Sequence, residues 1–526
     1  TMSQPTSASP LDSPTDTVAG SSDVSRSSFS AAGRPWGIDE AIVAVCRQGS
    51  PGTLRKIALV GAPPWQKRLL LAYCSVQMVT SLTLFLPIFT HGSYSPPSCD
   101  APREEWPAPD RATIAYDYAL CCGSEWLLDA VTTVFFAGCV VGGCTGGFLN
   151  DRFGRLPVIV VGIVLNSVGT CFAAMAPSVY VYGALRFVLG AVAVSLLQSN
   201  FIIAAEWLTA AWGAPLSAFG FCCAAAGELV LVPLVYAADL VSPTDWRCAT
   251  MMAGVLGLTA LVASSIAMAE TPRWLHARGE SAAACQALAV CARYNGDDAT
   301  AHALMVRGLR DPVGEKCGDK DDKVGPGKVC ETLRSMKLWA MALLWFTASG
   351  VFYGLALEAG GLSEAMPLEV FASLSAFLEI PSAVLAVALF DHSGLGRRTS
   401  TSALLAFAGA TCAGTALCGE PMRSMMGLAG KFFISAVFTG LYPYAGEVFE
   451  TSVRGFSLGI SSCGARLGAM LAPLAFSWFG MEVGMSILGF FSLLSAVVCS
   501  TLLPETTATS RCDTMTAGSV QLCESC

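Results

Sequence analysis

Arg466 and Glu379 are the residues of this chain that most need a task. Each stands inside a long apolar run, where a charge costs about 2.5–3.5 kcal/mol on the membrane-insertion scale and is seldom kept without a partner or a role. Arg466 lies roughly ten residues into its run and Glu379 roughly eleven into its own. At about 1.5 Å per helical residue, both are then near 15 Å deep, at one level. A guanidinium binds a carboxylate through two parallel hydrogen bonds, and a carboxylate holds an ammonium. The two side chains therefore suit recognition of a charged ligand, with a structural ion pair between them as the alternative. Lys431, roughly five residues into another run, is shallow enough to snorkel to the interface. Glu228 and Asn200 are further polar candidates within runs, and Trp345, Phe352 and Tyr353 offer ring faces for a cation or a flat ligand. Arg186 reads as structural, satisfying carbonyls of neighbouring helices.

Other chemistries have little support. The histidines (His91, His276, His302, His392) fall in loops or at the edges of apolar runs, which excludes a zinc-protease pair or paired haem ligation within a run. Neither a nucleophile elbow nor a phosphate-binding loop occurs, and no cysteine spacing reads as a metal site. No cofactor or metal, and no nucleic-acid partner, is expected.

The elements that must carry these residues follow from composition. Of 526 residues 53% are hydrophobic and only 13% charged, about half the charge of a soluble protein. The apolar residues come in blocks of about 20, each long enough to cross a hydrocarbon core about 30 Å thick. Twelve spans are expected, at 69–90, 128–149, 157–176, 179–205, 214–236, 248–269, 338–358, 368–391, 401–418, 426–447, 456–479 and 483–503, numbered 1 to 12 below. Their length favours helices over the short alternating strands of a barrel. The expected fold is an all-α polytopic membrane protein.

Orientation follows from the basic residues. With both termini in the cytoplasm, Arg103, Arg111, Arg247 and Arg423 fall outside, and Arg186, Lys431 and Arg466 fall within spans. Every other Lys and Arg is then cytoplasmic, as the positive-inside rule demands. Residues 1–67 read as a disordered cytoplasmic segment, richest in Ser, Thr and Pro over 1–33, with no signal peptide. Residues 68–269 form a first half, with an outer loop at 91–127. Residues 270–337 are a cytoplasmic linker whose "EKCGDKDDKVGPGK" is flexible and whose "AAACQALAVCARYN" suits an amphipathic surface helix. Residues 338–503 form a second half, and 504–526 a cytoplasmic tail. Most of the 22 cysteines lie in spans as small hydrophobes. In the outer loop, Cys99 has Cys121 or Cys122 as a possible disulfide partner.

"GGFLNDRFGRL" (146–156) follows span 2, and "FDHSGLGRRTS" follows span 8, the second span of the second half. This is a parallel internal repeat. Glycines permit the tight connection, and the charges can pair across helix ends. The resulting latch comprises Gly147, Asp151, Arg152, Gly154 and Arg155, with Gly396, Arg397 and Arg398 in the second copy. Arg152 and Arg155 are expected to pair with acids at the inner ends of neighbouring helices.

"GFLNDRFGR" (147–155) resembles motif A of the major facilitator superfamily, and "RFVLG" (186–190) its fourth-helix motif. "DWRCATMM", "AETPRWLHARGE", "EIPSAVL" and "GKFFISAVFTGLYPYAGEVFETSVRGFSLGISSCGARLGAMLAP" (430–473) resemble signatures of the organic cation/anion/carnitine transporter family, solute carrier family 22. The resemblance covers about residues 120–506. It implies two six-helix halves that rock about a midplane site. It also implies a plasma-membrane monomer that moves small organic ions across the bilayer, with Na or H coupling or a counter-substrate. Glu206, Arg273, Glu447 and Arg454 join the latch by matching family positions. Glu450 stands where the family has Pro. Arg466 stands where cation-preferring members have Asp, so the resemblance leans to carnitine-like zwitterions or organic anions. An organic cation transporter, or a non-transporting receptor on the same fold, are the alternatives.

The orientation has a direct check. A tag inserted near Pro107 should bind antibody on intact cells, and one near Gly325 only after permeabilisation; the opposite labelling would overturn the topology.

Overall fold

The computed structural model describes residues 35–46 and 62–506, apart from 93, 95, 97, 100–105, 108, 110–112, 209–211, 243–244, 311–325, 391–394 and 450. The described residues are helical, with no strand beyond a bridge between Trp36 and Leu309. Span 1 is Pro64–Thr90. Spans 2 to 6 are Trp126–Phe153, Arg155–Ala174, Val179–Trp207, Gly213–Val241 and Trp246–Ala267. Spans 7 to 10 are Met336–Leu357, Leu368–Phe390, Arg397–Leu417 and Met422–Val448. Spans 11 and 12 share one helical stretch, Thr451–Leu502, broken at Gly480, whose φ of 77° only a residue without Cβ adopts readily. Twelve apolar helices in two halves make up the fold.

Local chemistry sets the helix ends. Pro64 opens span 1 at a position where its missing N–H is no loss. Ser178 caps span 4 through the Val181 N–H at 3.4 Å, and the Asp245 carboxylate accepts from the Arg247 N–H at 2.9 Å at the start of span 6. Gly154, with φ 98°, ends span 2 and begins span 3 without an intervening loop.

Interhelical packing relies on residues with no side chain. Lipid tails are as apolar as leucine, so spans associate through close backbone approach rather than hydrophobic expulsion. A Cβ on Gly138 of span 2 would press on the Phe187 carbonyl of span 4, and one on Gly468 of span 11 on the Phe346 carbonyl of span 7. The halves share a pattern here. Gly227 of span 5 meets the backbone of Met78 in span 1, and Gly464 of span 11 meets that of Ala342 in span 7. Across the seam between halves, Thr133 of span 2 donates to the Met470 carbonyl at 3.4 Å, and Ser217 of span 5 to that of Thr439 at 3.1 Å.

The two ends of the bundle differ. One carries the disulfide Cys99–Cys122, beside a buried Cys121. The other carries the linker, and these ends are called the disulfide side and the linker side. Two expectations change at the linker side. Within 1–67, Ile38–Cys46 is a helix with Ala41, Ile42, Val45 and Cys46 buried; its apolar face is covered by the linker, so it is not a free tail. The linker itself contains Pro272–Ala277, Ser281–Tyr294, Asp298–Arg307 and Pro326–Arg334. Ser281–Tyr294 is amphipathic as expected, burying Ala284, Leu288 and Cys291. It does so against other linker helices and the N-terminal helix. Most of "EKCGDKDDKVGPGK", and residues 507–526, lie outside the described residues.

Replacing Gly468 by Val should destabilise the detergent-solubilised protein by at least the ~1–3 kcal/mol typical of overpacking, read as a lowered thermal midpoint. Gly147→Val, whose Cβ would meet nothing within 4 Å, should leave the midpoint unchanged; equal loss in both would contradict the packing account.

Candidate functional site

Lys431 is the centre of the charged site, and its expected position is corrected. Span 10 begins at Met422 rather than 426, which carries Lys431 about one further helical turn from the end. It does not snorkel: Lys431 and Glu379 are each 1% exposed, with Nζ 2.8 Å from the Glu379 Oε1. The approach lies off hydrogen-bonding directions, since neither carboxylate oxygen nor Nζ has an aligned partner. This is an ion pair by distance. The Lys431 ammonium also stands 3.3 Å from the centroid of Phe352 and 5.7 Å from that of Phe85, close enough for cation–π attraction. Glu228 of span 5 is 8% exposed and interacts electrostatically with both members of the pair.

The structural pair expected as the alternative, Glu379 with Arg466, does not form. Lys431 occupies Glu379 because the extra turn of span 10 brings it to the same depth. Arg466 makes no ion pair among the described residues, and its buried Nε lacks a hydrogen-bond partner. It is only partly buried, and Tyr353, Cys139, Tyr442 and Cys463 are its electrostatic neighbours.

Aromatic rings connect the two charged centres. Trp345 and Tyr442 have centroids 4.6 Å apart, and Phe352 and Phe438 5.5 Å apart. Tyr353 lies 4.9 Å from Phe136 of span 2 and 6.1 Å from Phe85 of span 1. Phe221 of span 5 is 5.5 Å from Phe438. The sequence pointed to the span 7 rings. Phe85, Phe136, Phe221 and Phe438 it missed, although Phe438 and Tyr442 are one helical turn apart in the segment that carried the resemblance.

Two other candidates bond to neighbouring spans. Asn200 donates its amide to the Tyr73 carbonyl at 3.0 Å, joining spans 4 and 1. Arg186 donates to the Thr83 carbonyl at 2.8 Å and lies 4.3 Å from the Phe135 centroid. Among the described residues no group of three metal-ligating side chains occurs.

The latch is a double construction. In the first half, Arg155 Nη2 is 2.9 Å from Glu206 Oε1 and 3.5 Å from Asp151. The Glu270 carboxylate accepts from the N–H groups of Arg155 and Leu156 at 3.2 and 3.0 Å, capping span 3. In the second half, Arg397 is 2.6 Å from Glu447. Glu505 accepts from the N–H groups of Arg398 and Thr399 at 2.9 and 3.2 Å, capping span 9. Gly154 and Gly396 occupy equivalent places, with φ of 98° and 70°, and a Cβ on either would strike the capping glutamate. Glu270 and Glu505 were missed. The signal was available as Glu-Thr directly after the last span of each half, at 270–271 and 505–506.

Arg152 departs from its expected role: its side chain is exposed and pairs with no acid among the described residues, lying 5.8 Å from the Phe153 ring. It lies in the last turn of span 2, whereas Arg155 opens span 3 within reach of Glu206. Arg273 pairs at 2.7 Å with Asp39 of the N-terminal helix and so ties that helix to the linker. The Arg454 side chain and Glu450 lie outside the described residues.

At the disulfide side, Glu358 directly follows span 7. Its carboxyl is pushed up to about 7, by burial first and then by Asp129 of span 2.

Lys431→Met should cost about 3–5 kcal/mol, because it leaves a buried carboxylate without its counter-charge. Lys431→Met with Glu379→Gln should recover most of that loss. Thermal melting of the purified variants is the check, and additive losses would show that the two residues act independently.

Comparisons with known proteins agree with this geometry. The Major Facilitator Superfamily model matches residues 122–430. Solute carrier family 22 member 15 of Xenopus tropicalis is 28% identical over 75% of this chain and 74% of its own. Organic cation/carnitine transporter 4 of Arabidopsis thaliana is 28% identical over 78% and 77%, and organic anion transporter 3 of Mus musculus 28% over 69% and 67%. The inward-open xylose transporter XylE from E. coli superimposes with a TM-score of 0.61, covering 84% of this chain and 97% of that one at 16% identity, which speaks for the fold. The chain belongs to the major facilitator superfamily, as a transporter resembling solute carrier family 22.

Proposed function

We propose that the protein carries small organic ions bearing a carboxylate, carnitine-like zwitterions or organic anions, by alternating access between its two halves. The observation that carries the reading is Arg466: a guanidinium midway along span 11, without a carboxylate partner among the described residues and with a buried, unpartnered Nε. A buried cationic donor left unmatched costs free energy that an arriving carboxylate restores. Lys431 cannot take that role while it is held by Glu379. Tyr353 and Tyr442 are electrostatic neighbours of Arg466. The ring cluster supplies faces for an apolar body or a quaternary ammonium.

In this reading the linker side is cytoplasmic, the protein resides in the plasma membrane, and a monomer suffices. The repeated networks around Arg155 and Arg397 stiffen the linker-side end of each half, so that the halves move as units. A simple cation transporter is the second reading, favoured by Glu228, the acid that the ion pair leaves over.

Uptake of radiolabelled carnitine, para-aminohippurate and tetraethylammonium into expressing cells tests the proposal. Carnitine or para-aminohippurate should accumulate above control. Arg466→Ala should then lower that uptake by about 10- to 100-fold at equal surface expression, the equivalent of about 1.5–3 kcal/mol for a hydrogen bond to a charged group. Uptake of tetraethylammonium alone, or carboxylate uptake indifferent to Arg466→Ala, would reject it.

A further inference from the structure

The charge count immediately around Glu228 is unbalanced. Two carboxylates, Glu228 and Glu379, share one ammonium, Lys431. Glu228 is more than nine-tenths buried, and its Oε1 has no hydrogen-bond partner. In so poorly solvated a place, like charges on neighbouring carboxylates are not both sustained, and the second acid is neutralised by whatever cation reaches it.

The surroundings identify that cation. Glu228 lines a cavity with Phe85, Ile88, Leu231, Ala356 and Ser375. The space open to a water centre is about 10 Å³, roughly what a single water needs. A metal cation requires a shell of several oxygen ligands, and this lining offers only the Glu228 carboxylate and the Ser375 hydroxyl. A proton requires one carboxylate oxygen and a water to deliver it. The titratable or charged groups facing Glu228 are Glu379 from span 8, Lys431 from span 10 and Tyr353 from span 7. Spans 1 and 6 supply none.

We propose that Glu228 is a proton-binding site, exchanging one proton through this cavity with the compartment on the disulfide side, and so couples transport to the proton gradient. The proton adds to a carboxylate oxygen to give the neutral acid, and its release restores the ion; no other bond changes. The binding site stands by itself, while the coupling rests on the transport reading above. Glu379 remains ionised against Lys431, so Glu228 is the acid that changes charge. An organic ion binding among the same rings then meets a site whose net charge depends on whether Glu228 is loaded.

Difference infrared spectra of the purified protein in lipid nanodiscs, recorded between acid and alkaline buffers, test the site without any substrate. Wild type should show, at neutral pH, a protonated carboxylic acid band beyond the one that Glu358→Gln removes, and Glu228→Gln should remove that remaining band. Glu379→Gln should also remove it at neutral pH, because Glu228 then becomes the counter-ion of Lys431; a purely structural Glu228 gives no such dependence. A wild-type spectrum lacking the band, or a band unchanged in both variants, would overturn the proposal. In proteoliposomes, an inward proton gradient should raise carnitine uptake several-fold in wild type and have no effect in Glu228→Gln. Uptake in wild type that ignores the gradient would refute the coupling. Absence of any carnitine uptake would count against the transport reading, leaving the infrared result to decide the site.

Discussion

A charge removed from water must be answered by another charge, and Lys431 with Glu379 is where this chain meets that demand. The ammonium is carried by span 10 and the carboxylate by span 8, both from the second half. Rings from spans 1 and 7 close over the ammonium. Breaking the pair would strand charge in an interior that cannot solvate it. The pair therefore fixes the register of span 10 against span 8 and decides which other charges remain available. In the proposed function, Arg466 is left for an anion and Glu228 for a proton. The whole division of labour at the midplane follows from one contact.

The linker side obeys the same rule with more water at hand. In each half a glycine at positive φ precedes span 3 or span 9, and a glutamate delivered from the end of the half covers that helix's exposed N–H groups. An arginine at the helix start then reaches a second glutamate at the end of spans 4 and 10. Arg155 and Arg397 thus each have a neighbour of opposite sign within their own half. The polar contacts across the seam between halves include single hydroxyl-to-carbonyl bonds. That contrast is what a rocking motion needs.

The spans were legible in the sequence because hydrocarbon imposes a length and a polarity that little else satisfies. Glu206 and Glu447 were legible only because they match positions of the family that the chain resembles. Lys431 was misjudged by about one helical turn. Arg423 and Ser424 lower the hydropathy where span 10 begins, so an apolar count starts the helix too late. Glu270 and Glu505 were missed because a carboxylate capping a helix far away in sequence leaves no local periodicity. The helix Ile38–Cys46 was hidden for a similar reason: its apolar face is short, and its partner, Ser281–Tyr294, lies far along the chain. The lone state of Arg466 could not be read at all, since it depends on which acid Lys431 occupies.

The central claim is that Arg466 faces the ligand while Lys431 and Glu379 face each other. An electron cryo-microscopy structure of the protein with bound carnitine tests it most directly. The account predicts the ligand carboxylate within hydrogen-bonding distance of the Arg466 guanidinium, with the contact between Lys431 and Glu379 intact. A carboxylate seated on Lys431, with Glu379 displaced, would contradict it.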